Sequence, residues 1–183
     1  MTDHFTFNPI ELLDVARHNR KTFSCGVEVL DIFIQQKARR ESPELSRTFV
    51  LTCSELPGEI FGYYSLSATR LSSNDLPDHI KKKIGQYGAI PATLLSRLAT
   101  SSKYQNSKLR VGETLLIDAI HRSYRVSHDV ASYGIVVDIL KSPTSDPTKF
   151  YERYGFCLCV ETPGRAYLPM HTVRTLLERA ELI

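Results

Sequence analysis

Apolar positions Leu115, Leu116, Ala119 and Ile120 recur at i, i+1, i+4 and i+5, one stripe of an amphipathic helix that starts near Gly112 and ends around Val126. Val27, Leu30, Phe33, Ile34, Lys37 and Ala38 follow a similar spacing and predict an earlier helix with Arg39 and Arg40 at its C-terminal end. Asn8-Pro9 ahead of residues 10–17 predicts a short first helix. Another helix, over 147–154, is begun by Asp146 and Pro147 and closed by Gly155, and Val173, Leu176, Leu177 and Ala180 line a last one. Runs rich in β-branched and aromatic residues predict strands at 48–53 and 60–67, joined as a hairpin through the turn at 56–59. Further strands are expected at 92–99, 134–140, 156–160 and 167–170. Between 69 and 90 the chain turns polar, with the run Lys81, Lys82, Lys83, and reads as a long connection with room for one short helix. Strand, loop, helix and strand in succession from 92 to 140 imply a right-handed parallel crossover. No repeat or low-complexity linker divides the chain, so one α/β domain over 1–183 is expected.

Composition narrows the class. The chain is 42% hydrophobic and 23% charged, as expected of a globular domain, and its formal charge is only +3, from 23 basic and 20 acidic side chains. A nucleic-acid site would therefore come from local clustering rather than overall charge. Cys25, Cys53, Cys157 and Cys159 contain no C-x-x-C pair and no histidine at zinc spacing, which favours free thiols in a reducing cytoplasm and no metal site. No apolar run is long enough to span a membrane, and residues 1–10 do not resemble a signal peptide.

The helix start near Gly112 is the first candidate site. Amides in a first helical turn lack intrahelical partners, and the peptide dipoles add positive potential there, so such a terminus seats phosphate. Lys103, Lys108 and Arg110 lie just upstream. Many surface loops share this pattern, and alone it leaves the choice between ligand site and solvated loop open.

Five ordered blocks resolve that choice by resemblance. Arg97-Leu98-Ala99, the loop entering Gly112-Glu113-Thr114-Leu115, and Phe150-Tyr151-Glu152-Arg153-Tyr154-Gly155-Phe156 resemble a GNAT-fold N-acetyltransferase. Phe23-Ser24-Cys25-Gly26, Leu30-Asp31-Ile32-Phe33-Ile34, Gly62-Tyr63-Tyr64-Ser65-Leu66, the segment at 90–99 and the Tyr151 motif are, more narrowly, similar to the acetyltransferase toxins of bacterial type II toxin-antitoxin pairs. That resemblance implies a mixed central sheet flanked by helices on both faces. It further implies use of acetyl-CoA to acetylate the α-amine of aminoacyl-tRNA, translation inhibition, restraint by a ribbon-helix-helix antitoxin, and a possible homodimer. Two other readings stay open: a GNAT enzyme acting on a small or protein amine, and a non-catalytic GNAT interaction module.

The family loop usually reads Gln or Arg, two free positions, Gly, one free position, then Gly or Ala. Here Ser107, Lys108, Leu109, Arg110, Val111 and Gly112 stand there, and only the last glycine is kept. Arg110 either replaces close backbone approach with a guanidinium on phosphate or obstructs the cofactor. By resemblance the cofactor residues are Leu98, Ala99, Thr100, Lys103, Lys108, Leu109, Arg110, Val111, Gly112 and Glu113. The backbone of Leu98, Ala99 and Thr100 would meet the pantetheine arm as an added strand does.

Acyl transfer to an amine needs a neutral amine and a proton donor for the departing thiolate. An α-amine of pKa about 7.7 to 8.0, lowered further by esterification of its carboxyl, has a neutral fraction near pH 7 without a strong base. Tyr151, matching the family's tyrosine, is the expected donor, against the alternative of a packing aromatic among Phe150, Tyr154 and Phe156. Candidates for RNA phosphate contacts are Arg39, Arg40, Arg47, Lys81, Lys82, Lys83, Arg122 and Arg125. The histidines form no constellation.

Overall fold

Phe49, Val50 and Leu51 belong to a strand of high β-propensity, β2 (Arg47–Leu51), which in the computed structural model lies between β1 (Glu11–Leu12) and β3 (Gly62–Ser72). The structure describes residues 5–85, 87–142 and 146–183. With β4 (Ala89–Thr100), β5 (Gly134–Asp138), β6 (Cys157–Leu158) and β7 (Arg165–Pro169), these form a mixed seven-stranded sheet of order β1-β2-β3-β4-β5-β7-β6. The helices are α1 (Glu28–Ile32), α2 (Asp78–Ile84), α3 (Val111–Val126), α4 (Thr148–Arg153) and α5 (Met170–Arg179). Contacts divide the chain into two units, residues 1–66 with 96–119, and residues 67–95 with 120–183. The elements β3, β4 and α3 each begin in one unit and end in the other.

In the first unit β2 pairs antiparallel with β3, Arg47 opposite Leu66 and Leu51 opposite Gly62. The helix expected over 10–17 does not form. Glu11 and Leu12 instead pair with Val50 and Phe49, and the Leu13 amide donates to the Thr48 carbonyl at 2.9 Å. Two turns of isolated helix are marginal, whereas the edge of β2 satisfies the same backbone groups. The chain then turns at Asp14, whose carboxylate accepts from the Ala16 amide at 2.9 Å while its own amide donates to His18 Nδ1.

The second expected helix is present but winds unevenly: α1 passes into a π turn over Phe33–Lys37 and a 3-10 turn over Ala38–Arg40. Arg20 reaches the loosened carbonyls, donating to Ile34 O at 3.3 Å and Gln35 O at 2.9 Å. Its apolar face packs Phe33 and Ile34 against Phe23, Val50, Tyr63 and Ala99. Tyr63 donates from its hydroxyl to Leu30 O at 2.8 Å, so this buried phenol is satisfied and pins the helix to the sheet.

In the second unit β3 continues to Ser72, well past the hairpin length expected from sequence. Ser72 Oγ then accepts from the Asn74 amide at 3.2 Å and starts a 3-10 turn. The expected short helix follows as α2, with Ile80 and Ile84 packed against Leu71, Leu76, Ile90, Val136 and Tyr167. The strand β4 pairs parallel with β5 from Thr93 opposite Ile135 to Leu95 opposite Val137, as a helical crossover requires. The last strands are antiparallel: β5 with β7, and β7 with β6. Val173 and Leu177 bury one face of α5. Among the described residues no helix is long and apolar enough to cross a membrane.

Candidate functional site

In the first unit the chain leaves β4 through a loop tied down by backbone and amide contacts. The Ser101 amide donates to Phe61 O at 2.9 Å and the Ser102 amide to Ser24 O at 2.8 Å. Gln105 Nε2 donates to both Cys25 O, at 2.8 Å, and Thr100 O, at 2.9 Å, joining the Phe23–Gly26 block to the end of β4. Ser107 Oγ donates to Tyr104 O at 2.7 Å and accepts from the Leu109 amide at 3.4 Å. These contacts bring the chain to the first turn of α3 in a fixed conformation.

Arg110 is the residue immediately before α3, and its φ of 52° lies in the left-handed region that favours glycine. Its guanidinium closes on the Glu113 carboxylate. The Arg110 carbonyl accepts from the Glu113 and Thr114 amides, each at 3.0 Å, which starts the helix. Among the described residues the amides of Lys108, Val111 and Gly112 take no protein acceptor. A Cβ on Gly112 would stand 3.2 Å from Thr100 Oγ1, so the helix start and the end of β4 approach tightly. Open amides, a helix N-terminus and a close strand make a cradle of the kind a pyrophosphate fits.

The basic side chains nearby differ in their engagement. Lys103 Nζ pairs with Glu59 Oε1 at 2.8 Å, and the Tyr104 hydroxyl donates to the same oxygen at 2.9 Å. The Lys103 hydrogen bond, aided by Tyr104, holds the Glu59 carboxyl below the usual carboxylate range. Lys108 is exposed and has no ion-pair partner among the described residues. Leu98, Ala99 and Thr100 extend β4 beyond its ladder with β5, which ends at Leu95.

In the second unit Asp146 Oδ1 accepts from the Thr148 amide at 3.0 Å and sets the start of α4, while Gly155 closes it at φ 86°. Tyr151 is only 6% exposed. Its ring is wedged edge-on against Phe150, at 5.3 Å between centroids, and Phe156, at 5.4 Å. Burial pushes the phenol well above its ordinary range, so it keeps its proton throughout neutral pH. The hydroxyl has no hydrogen-bond partner among the described residues. A rigid phenol with an unspent donor suits proton donation or hydrogen bonding to a leaving anion.

The basic residues considered for RNA fall in two sets. Arg39 and Arg40 lie exposed on the 3-10 turn after α1, and exposed Arg47 starts β2, all in the first unit. Lys82 and Lys83 are exposed on α2, Lys81 pairs with Asp78 at 3.6 Å, and half-buried Arg122 and exposed Arg125 lie on α3, all in the second. Sequence reasoning assigned no role to Glu41 or Arg97, whose side chains meet at 3.7 Å. Among the described residues no group of His, Cys, Asp or Glu is placed to hold a metal.

No family model matches the chain. A probable toxin TacT from Sinorhizobium fredii is 28% identical over 173 residues, covering 92% of this chain and 94% of that relative. A tyrosine-to-phenylalanine variant of KacT is similar in structure, with a TM-score of 0.81 at 25% identity over 93% of this chain and 98% of that one. AtaT complexed with acetyl-methionyl-tRNAfMet has a TM-score of 0.80 at 26% identity over 94% and 99% of the two chains. AtaTR bound with AcCoA has a TM-score of 0.74 at 25% identity over 93% and 98%.

Proposed function

We propose that this chain, which has the GNAT fold and resembles the acetyltransferase toxins throughout, is an acetyl-CoA-dependent N-acetyltransferase that acetylates the α-amine of aminoacyl-tRNA and so inhibits translation. The observation that carries this reading is the full-length likeness to AtaT, a protein solved with acetyl-methionyl-tRNAfMet. A structure of AtaTR bound with AcCoA supports the same donor.

Bound acetyl-CoA supplies an activated acyl group as a thioester. The open amides of Lys108, Val111 and Gly112 hold its phosphates at the N-terminus of α3, with Lys108 adding charge. Arg110 joins them by exchanging Glu113 for phosphate, and Leu109 and Glu113 complete the loop. The backbone of Leu98, Ala99 and Thr100 aligns the acyl arm along β4. Tyr151 would give its phenolic proton to the departing sulfur and be restored by the proton that the nitrogen releases once the N–C bond has formed and the C–S bond has broken; its raised pKa keeps it protonated beforehand. The acceptor amine enters neutral, since an esterified amino acid has a neutral fraction near pH 7. Arg39, Arg40, Arg47, Lys82, Lys83 and Arg125 supply exposed charge for RNA phosphates.

A small DNA-binding antitoxin of the ribbon-helix-helix class restrains the enzyme in this reading, which the toxin name of its relative supports. Its setting is the cytoplasm, where the free thiols Cys25, Cys53, Cys157 and Cys159 stay reduced and charged tRNA is found. The decisive experiment follows labelled acetyl from acetyl-CoA into charged tRNA, with uncharged tRNA and polyamines in parallel. Label on charged tRNA alone is expected; label on polyamines alone moves the substrate, and no label with no cofactor binding overturns the enzyme.

A further inference from the structure

Strand alternation puts Arg97 on the same face of β4 as Ala99, which packs in the Phe33 and Tyr63 cluster under α1. The Arg97 guanidinium lies over the Phe33 ring, 3.6 Å from its centroid, and cation-π contact holds it there. Glu41, the residue just after the 3-10 turn Ala38–Arg40, brings Oε1 to 3.7 Å from Arg97 Nη1, which is charge attraction without a hydrogen bond. Among the described residues the guanidinium takes no hydrogen-bond acceptor. Its side chain is 28% exposed, and none of its nitrogens is among the buried polar atoms that lack a partner, so its unspent donors reach solvent.

A guanidinium has five N–H donors in a planar fork and keeps its charge at any pH a protein meets. Held on an aromatic ring, partly covered and unbonded, this one is prepared for an acceptor from outside, and it loses little side-chain freedom on binding. Charge nearby selects the acceptor. Exposed Arg39 and Arg40 belong to the 3-10 turn whose end meets Arg97 through Glu41, so two further guanidinium groups are carried by the same turn. That excess of positive charge suits a chain of phosphates, and the fork matches a phosphate's two free oxygens. Position selects the phosphate. Arg97 lies three residues before Thr100, about 10 Å along an extended strand, and Leu98, Ala99 and Thr100 are the residues that the acetyl-transfer reading gives to the acyl donor. One nucleoside and its ester bridge such a gap.

Resting on that reading, we propose that Arg97 binds the last phosphodiester of the acceptor RNA, the one attached to the nucleoside that bears the amino acid, and so sets how far the amine reaches toward the acyl arm. Glu41 opposes this contact. Its carboxylate, beside the guanidinium, weakens the hold on any single anion, so a phosphate is retained only when the rest of the RNA backbone is held as well. Arg97 registers the RNA end, while Arg39 and Arg40 supply affinity without register.

The test measures binding of two short single-stranded RNAs that match the 3′ end of tRNA, without acetyl-CoA. One has phosphate throughout; in the other the last linkage is an uncharged methylphosphonate. The unaltered protein is expected to bind the first about tenfold more tightly, the effect of one charge-assisted hydrogen bond. Arg97→Met should bring that ratio near one, whereas Arg39→Ala should weaken both RNAs and keep the ratio. Glu41→Gln should raise affinity for the all-phosphate RNA by about threefold, as removal of one nearby like charge does across a solvated surface, and leave the other RNA unchanged. A residue that only braces α1 against β4 would move Tm and not the ratio. A ratio near one in the unaltered chain, or a ratio kept in folded Arg97→Met, overturns the proposal; where Arg97→Met does not fold, weaker or unchanged binding of the all-phosphate RNA by Glu41→Gln overturns it. Binding is read apart from transfer: a tenfold ratio with no acetyl label refutes the acetyl-transfer reading and keeps the RNA contact, and label on charged tRNA with a ratio near one does the reverse.

Discussion

Arg110 folds its guanidinium back onto Glu113, three residues along the chain, while its own backbone takes a φ of 52°. The loop thus keeps the left-handed turn that glycine makes without strain, using a residue that carries a charge. Replacing Arg110 with Gly removes strain of about 1 kcal/mol but also an exposed ion pair and adds chain entropy, so stability should change by less than about 1 kcal/mol. Affinity for acetyl-CoA should fall about tenfold by calorimetry, the loss of one charge-assisted hydrogen bond. A rise in affinity would instead identify Arg110 as an obstruction.

Tyr151→Phe removes a hydroxyl that has no partner among the described residues and keeps the ring wedged between Phe150 and Phe156. Stability and acetyl-CoA affinity should hardly move, whereas kcat on charged tRNA should drop by roughly 10²- to 10⁴-fold, the usual contribution of a proton donor. Retained kcat would take Tyr151 out of the mechanism.

Gly62 tests the packing beneath the first turn of α3. A Cβ there would stand 2.6 Å from Leu115 Cδ1 and 2.7 Å from the Ala99 carbonyl oxygen, and the second of these is backbone. Gly62→Ala should therefore destabilise by about 1–3 kcal/mol, seen as a lower midpoint in urea with an unchanged slope.

The Lys103–Glu59 pair has a defined acid response. Its hydrogen bond from Lys103 lowers the folded-state pKa of Glu59 below the unfolded value, so the pair stabilises the protein above the unfolded carboxyl pKa. That contribution is lost as pH falls through the folded value. Lys103→Ala should cost up to about 1 kcal/mol at pH 7, as for partly exposed pairs, and progressively less in acid. Equal losses at pH 7 and pH 3 would show that Lys103 acts through packing.

Charge reversal separates the two basic sets. Arg39→Glu with Arg40→Glu should weaken charged-tRNA binding and reduce its salt dependence by a slope of about 1.4 to 1.8, since each phosphate contact contributes about 0.7 to 0.9. The same experiment on Lys82 and Lys83 measures the second set, and a set whose reversal leaves the slope unchanged makes no phosphate contact.

Several elements were legible because local chemistry and burial agree. Asp146, Pro147 and Gly155 frame α4, and the apolar stripe of α3 includes the fully buried Leu115, Leu116 and Ala119. The segment at 10–17 misled because Leu12, Leu13 and Ala16 suit a helix as well as an edge strand, and the deciding partners, Phe49 and Val50, lie almost forty residues away. The end of the hairpin was hidden too, since Thr69 and Ser72 are polar yet remain in β3. At the candidate site, motif order placed the loop before α3 and Tyr151 in α4, both of which the structure describes as such. The left-handed backbone of Arg110 and the meeting of Glu41 with Arg97 could not, as each depends on a conformation or a contact that sequence order does not contain.

The division of the chain also sets an order of birth. The first unit ends at Ala119, so the loop before α3 has been synthesised while Tyr151 is still untranslated. A nascent chain paused between these points owns the residues proposed to hold the acyl donor but lacks the phenol. In the proposed reading, the parts that bind the acyl donor and the part that donates the proton thus leave the ribosome at different times.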